Sequence, residues 1–168
     1  MKMPTDYIQA LDLQPHPEGG WFRETYRAGE DISEQGLPSR YEGSRPMATG
    51  IYFLLTSDTF SALHRLKSDE QWHFYAGDPL TVHIFEPEGE YRIVRLGDDP
   101  DRNESFQAVV PAGCWFGATV DGGADAFALV GCTVAPGFDF EDFEMGRCDE
   151  LVPRYPRHRA LIERLTRL

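Results

Sequence analysis

The stretch from Ser61 to Phe85, SALHRLKSDEQWHFYAGDPLTVHIF, holds three of the five histidines and the densest mixture of aromatic, acidic and basic residues. On extended backbone, alternation places Phe60, Ala62, His64 and Leu66 on one face and Ser61, Leu63 and Arg65 on the other. His64 therefore stands among apolar neighbours, a setting that tunes an imidazole pKa. Glu70, Trp72 and Phe74 form a second such set, with Gln71, His73 and Tyr75 opposite. An imidazole and a carboxyl on apolar strand faces, beside the break at Gly77-Asp78-Pro79, point to acid–base chemistry in a pocket. A buried carboxyl needs a partner, and a cavity can supply one. The bland alternatives are a hydrogen-bonded core histidine and a salt bridge from Glu70 to Arg65 or Lys67. Trp72 and Tyr52 are either a platform for a ligand or ordinary core. His83 alternates with Thr81 and Phe85, and its face stays open. Glu24 and Tyr26 serve equally as ligand contacts or as part of an interface.

The elements that must position these residues are short strands. Thr5 caps an expected helix through about Leu13, with Asp6 in its first turn. Pro15-His16-Pro17-Glu18-Gly19-Gly20 ends it in a shaped turn, because paired glycines permit backbone angles that other residues avoid. Trp21 to Arg27 alternates aromatic with polar, as a half-exposed strand does. Residues 28–46, rich in Gly and Pro, read as a long loop that lies over something. Ile51 to Thr56 is apolar on both faces, as expected of a central strand. Strands follow at 59–66, 70–76, 80–85, 91–96, 106–110, 114–120 and 126–135, with turn signals every 8 to 12 residues. That spacing, without helix-length amphipathic patterns between, predicts an all-β sandwich or barrel. The run FDFEDFEMG (residues 138–146) is a closing segment or an acidic rim, and a charged helix over about 155–168 ends the chain.

At 168 residues the chain is expected to form one domain with a sizeable core, bounded at about 16–146. The formal charge of −12 argues against nucleic acid or an anionic membrane as partner, since phosphate attraction needs a basic face. Cys114, Cys132 and Cys148 show neither zinc-binding nor redox spacing, and Cys114 and Cys132 fit as small core residues. No apolar run approaches a membrane span, and no signal-peptide core follows Met1-Lys2, so the expected location is the cytoplasm.

Several blocks resemble a known family. Glu70, six residues and Gly77 fit the second half of the first cupin motif, with His64 just upstream, and Pro111-Ala112-Gly113 fits the P-x-G of the second. More specifically, HPEGGWFRETYR (16–27), IYFLL (51–55), SALHRLKSDEQWHFYAGDPL (61–80), VVPAGCWFGA (109–118) and GCTVAPGFDFEDFE (131–144) look like the cupin-5 family. This is a domain of unknown function among jelly rolls like the dTDP-sugar epimerases. The resemblance implies a double-stranded β-helix sandwich with short N- and C-terminal helices. Metal-binding cupins carry histidines where this chain has Ala62 and Phe116, so only His64 and Glu70 remain of four ligands, too few for tight metal binding. The implied site is therefore metal-free and without cofactor. The sugar epimerases imply His64 as the proton-abstracting base, and Glu70 is the candidate to orient it. Their general-acid tyrosine has no counterpart, since no tyrosine occurs between Tyr91 and Tyr155.

The expected protein is thus a single cupin domain, a homodimer through edge strands such as Trp21 to Arg27. Its pocket takes a small ligand, with His64 and Glu70 as the reacting pair and Trp72, Tyr52, His83, Phe116 and Glu24 as candidate ligand contacts. Its function is either epimerase- or isomerase-like chemistry on a sugar- or nucleotide-derived ligand, or non-catalytic binding or storage.

Overall fold

The computed structural model describes residues 3–167. Met1 and Lys2, after which no signal-peptide core is expected, and Leu168, the end of the expected C-terminal helix, lie outside the described residues. Its nine longer strands are β1 (Trp21–Arg27), β2 (Thr49–Thr56), β3 (Phe60–Arg65), β4 (Asp69–Gly77), β5 (Leu80–Phe85), β6 (Tyr91–Leu96), β7 (Gln107–Val110), β8 (Trp115–Val120) and β9 (Phe127–Ala135). One sheet runs β1-β2-β9-β4-β7, with Gln14–Pro15 outside β1; the other runs β3-β8-β5-β6, with Glu144–Met145 outside β3. The strand pairs within both sheets are antiparallel, and the two sheets close into a jelly-roll sandwich.

Period-two alternation builds the interior. Phe53 and Leu55 of β2, Trp72 of β4, Val82 and Ile84 of β5, Phe116 of β8 and Val130 of β9 meet between the sheets in one apolar cluster. The outer faces are covered as well. Helix α1 (Pro4–Ala10) lays Tyr7 and Ile8 over Leu54, Phe127 and Leu129, which is why β2 is apolar on both faces. It stops short of Leu13 because Asp12 adopts a left-handed backbone angle, φ 52°.

At the other end, an unexpected helix, α2 (Cys148–Arg154), precedes the expected one, which is a 3-10 turn at Pro156–His158 followed by α3 (Arg159–Leu165). Pro156 has no N–H to continue α2, so the chain turns there. Leu151, Val152, Ile162 and Leu165 of this pair pack on Leu63, Phe85 and Trp115 of the second sheet. Among the described residues, no helix is long and apolar enough to cross a membrane.

The loop of residues 28–46 lies over the β3–β4 turn, as its composition suggested. Tyr41 is buried there, its hydroxyl 2.9 Å from the Lys67 carbonyl and 2.7 Å from Ser68 Oγ. Arg45 reaches across the fold to Asp142 through paired hydrogen bonds of 2.7 and 2.8 Å.

Candidate functional site

The glycine-rich turn before β1 builds the floor of the site. Gly19 and Gly20 have φ of 115° and 72°. A Cβ on Gly19 would collide with the Phe60 carbonyl, and one on Gly20 would stand 2.6 Å from the Leu54 carbonyl oxygen. Only glycine lets this turn press against the start of β3. Glu18 is thereby driven inward, and its carbonyl accepts the Ala62 N–H at 2.8 Å. Ser61 Oγ donates to Glu18 Oε1 at 2.8 Å, and Glu18 Oε2 lies 3.1 Å from His64 Nε2.

Strict alternation puts Ser61 and His64 on opposite faces, yet both reach Glu18. The β3–β8 register explains it: Phe116 pairs with His64 and Ala118 with Ser61, so β3 carries one extra residue in a bulge.

Above this floor opens a cavity of about 300 Å³. His16, Glu18, His64, Glu70 and Cys132 form its polar part; Phe22, Ile51, Phe53, Leu66 and Val134 form apolar walls; Glu24 and Arg27 line its β1 side. The 138–143 segment roofs it with Phe138, Asp139, Phe140 and Phe143. The Phe138 N–H donates to Thr49 Oγ1 at 2.9 Å, its carbonyl accepts from Arg27 at 3.2 Å, and Asp142 is clamped by Arg45. The closing segment is therefore the cavity's lid.

Hydrogen bonds fix the proton positions. A carbonyl can only accept, so the 2.7 Å contact to Ala62 O puts a proton on His64 Nδ1. His64 Nε2 and Glu18 Oε2, 3.1 Å apart, then hold one proton between them. Burial lowers the His64 pKa, opposed by Glu70 and the Ala62 carbonyl, and burial raises that of Glu18, opposed by His16, Ser61 and Arg167. Burial thus disfavours charge on both partners, and wherever a shared proton sits the pair carries no net charge. His16 Nδ1 accepts the Glu18 N–H at 3.1 Å, so its neutral form carries the proton on Nε2. Burial lowers the His16 pKa, against the pull of Glu18.

Glu70 is 7% exposed. Burial pushes its carboxyl up to about 7, with His64 and the Cys132 thiol opposing and Glu18 adding to the rise. Its partner set is thus thinner than that of Glu18.

Of the sequence candidates, His64, Glu70 and Glu24 line the cavity. The expected pairing needs one correction: the carboxyl at the second nitrogen of His64 belongs to Glu18, and Glu70 acts on the imidazole through space. The other four candidates are not on the cavity wall. Trp72 is fully buried in the core, edge-on to Phe53 and Phe116, and its indole N–H has no partner among the described residues. Phe116 lies behind His64, ring centres 4.1 Å apart, and holds the imidazole in place by packing. Tyr52 points out of the first sheet toward Tyr75. His83 points out of the second, bonded to Tyr91 and Thr119, and burial lowers its pKa to about 4.

His73 faces away from Glu70, as alternation requires, and bonds Thr133. Among the described residues, no three His, Cys, Asp or Glu side chains converge in a way that could hold a metal ion, and no tyrosine lines the cavity. His16 and Glu18 are the residues that sequence reasoning passed over. The signal lay in the turn recognised as shaped: its glycines exist to bring the residues beside them inward.

A jelly roll with its cavity between the sheets, walled in part by His64, Leu66 and Glu70 of the first cupin-motif segment, is a domain of the cupin class. Residues 5–146 match the model of the cupin-5 family, described as Cupin superfamily (DUF985), and the chain belongs to that family. It is similar in structure to protein SO0799 from Shewanella oneidensis, with 40% identity, TM-score 0.89 and 99% of each chain covered. A hypothetical protein from Leishmania major matches with 37% identity and TM-score 0.88, over 99% of this chain and 100% of that one. An uncharacterized protein of Saccharomyces cerevisiae, YML079W, is 28% identical over 84% of this chain and 76% of its own length. Oxalate decarboxylase from Bacillus subtilis shares the fold alone, at 15% identity and TM-score 0.55, over 92% of this chain and 37% of its own.

Proposed function

We propose that the cavity carries out acid–base chemistry, a proton transfer at carbon of the epimerase or isomerase kind, on a small sugar- or nucleotide-derived ligand. The observation that carries this reading is Glu70: a carboxyl on the cavity wall whose pKa, about 7, suits both taking and giving a proton at neutral pH. His64 has both nitrogens engaged, Nδ1 by the Ala62 carbonyl and Nε2 by Glu18, so it positions Glu18 and holds the proton at that carboxyl. Two carboxyls in one cavity, one hydrogen-bonded to an imidazole and one without such a partner, supply a base and an acid without a tyrosine.

The test is a thermal-shift screen of sugars, nucleosides and their phosphates, repeated on Glu70→Gln and His64→Ala, followed by deuterium wash-in on each stabilising carbonyl compound. Exchange at the carbon beside the carbonyl is expected, slowed about 10²- to 10⁴-fold by Glu70→Gln. Binding without exchange would make the cavity a non-catalytic binding site. Stabilisation that survives both substitutions would place the ligand elsewhere.

The homodimer belongs to the same proposal. From Arg23 to Arg27 the outer edge of β1 has no strand beside it among the described residues, since Gln14–Pro15 pairs only with Trp21 and Phe22. The free state of Cys114, Cys132 and Cys148 suits a reducing cytoplasm.

A further inference from the structure

The cavity's charged groups are matched so completely that no cation is left over. Arg27 is the one guanidinium on its wall, and both carboxyl oxygens of Glu24 already engage it, at 2.9 and 2.8 Å. Its remaining contact in the cavity is the Phe138 carbonyl of the lid. Glu18 and His64 face each other at 3.1 Å, so any positive charge on the imidazole is matched within the pair. His16 is neutral, because its Nδ1 is an acceptor for the Glu18 N–H and burial disfavours a second proton. That leaves Glu70 inside without a cation, and Asp139 in the lid as a second acid acting on Arg27 and on Arg45. A phosphate or carboxylate entering here would face acids on two sides and find no unpaired cation. In a site of low dielectric, that mismatch is costly.

Hydrogen-bond capacity points the same way. Glu70 accepts, and the His16 Nε2–H is a donor with no hydrogen-bond partner among the described residues. Beside them stand the rings of Phe22 and Phe53 on the wall and Phe143 in the lid, with His16 edge-on to each. Aromatic faces attract cations and flat rings.

Resting on the acid–base reading of this cavity, we infer that its ligand is phosphate-free and neutral or cationic: a ring-sized compound presenting N–H donors to Glu70 and an acceptor to His16. Within the proposed sugar- or nucleotide-derived class, this selects nucleosides, nucleobases and amino sugars over nucleotides, sugar phosphates and nucleotide sugars.

Matched pairs test it by thermal shift and calorimetry on the whole chain: adenosine and cytidine against their 5′-monophosphates, glucosamine against glucosamine 6-phosphate, and benzylamine against benzoate. At least one neutral or cationic member is expected to stabilise the protein and to bind at least tenfold more tightly than its anionic partner. Glu70→Gln, which keeps the shape of the side chain, should weaken a cationic ligand by tenfold or more. Asp139→Asn, which can still cap the lid's 3-10 turn, should narrow the gap within each pair while leaving the fold intact.

An anionic member that binds more tightly than its partner, and does so through Glu70, overturns the charge assignment and leaves the acid–base reading standing. Stabilisation by a cationic probe that is indifferent to Glu70→Gln places the ligand outside the cavity and overturns both. Failure of every neutral and cationic probe overturns the ligand class.

Discussion

Glu18 and Glu70 are both carboxyls in a nearly closed cavity, but their neighbours differ. Glu18 has a serine, an imidazole and a backbone-pinned turn around it, whereas Glu70 has a thiol and an imidazole held at a distance. The folded-state pKa of Glu70, about 7 against an ordinary 4.5, has a consequence for stability. A carboxyl that binds its proton more tightly when folded stabilises the protein below pH 4.5, and that contribution is lost as pH rises through 7. The buried imidazoles act in the opposite sense: with folded pKa values below 6.5, His16 and His64 cost stability as pH falls below that value. The two kinds of group therefore oppose each other in the wild-type profile. Glu70→Gln removes only the carboxyl's part. Relative to wild type, this variant is expected to gain stability between pH 5 and pH 8, by up to roughly 3 kcal/mol. Urea unfolding of both proteins at pH 5, 6.5 and 8 checks it, and a difference independent of pH would mean that Glu70 titrates as an ordinary carboxyl.

The lid shows what an element needs when its own sequence does not form one. Residues 138–143 make a single 3-10 turn, and they stay in place through distant partners: Arg45 on Asp142, Thr49 on the Phe138 N–H and Arg27 on the Phe138 carbonyl. This marks the limit of legibility in the sequence. β1, β5 and β6 were read with the boundaries they have, because alternation and turn residues are local signals. Helix α2 was missed, being seven residues with a proline inside, and so was the lid's role, because Arg45 and Asp142 lie 97 residues apart. The cavity floor was half legible: Glu70 and the His64 motif are local, but Glu18 meets His64 only through a bulge and a turn that the fold brings together. The clamp itself is testable. Arg45 and Asp142 are both nearly inaccessible, so Arg45→Met leaves a buried carboxylate with only Lys67, at 3.5 Å, to oppose it. A loss of about 3–5 kcal/mol is expected, with faster amide exchange over 138–143. Arg45→Met combined with Asp142→Leu should recover most of that loss. If the double variant is no more stable than the single one, the ion pair is not what holds the lid.

At the scale of the whole molecule, the question is which sheet edges are finished and which are not. β6 ends the second sheet with Arg92 and Arg95, each tied to a carboxylate, and charges of this kind discourage further pairing. β7 ends the first sheet after four residues. β1 is different. It runs seven residues and pairs along β2, and beyond Phe22 its other edge has no strand beside it among the described residues, with Tyr26 56% exposed there. A net charge of −12 keeps such chains apart in general, so association here requires a specific match, and the mixed charges Arg23, Glu24 and Arg27 on this edge offer one to a second copy in antiparallel register. The proposed dimer is therefore expected to have twice the 19.1 kDa mass of one chain by light scattering. Tyr26→Lys, which adds a buried positive charge to any pairing at this edge, should shift that mass to the single-chain value at micromolar concentration. Because Tyr26 does not line the cavity, ligand-induced stabilisation should persist in the monomer. A wild-type mass of 19.1 kDa would show that the β1 edge is left solvated, and a dimer that withstands Tyr26→Lys would place the contact on another face.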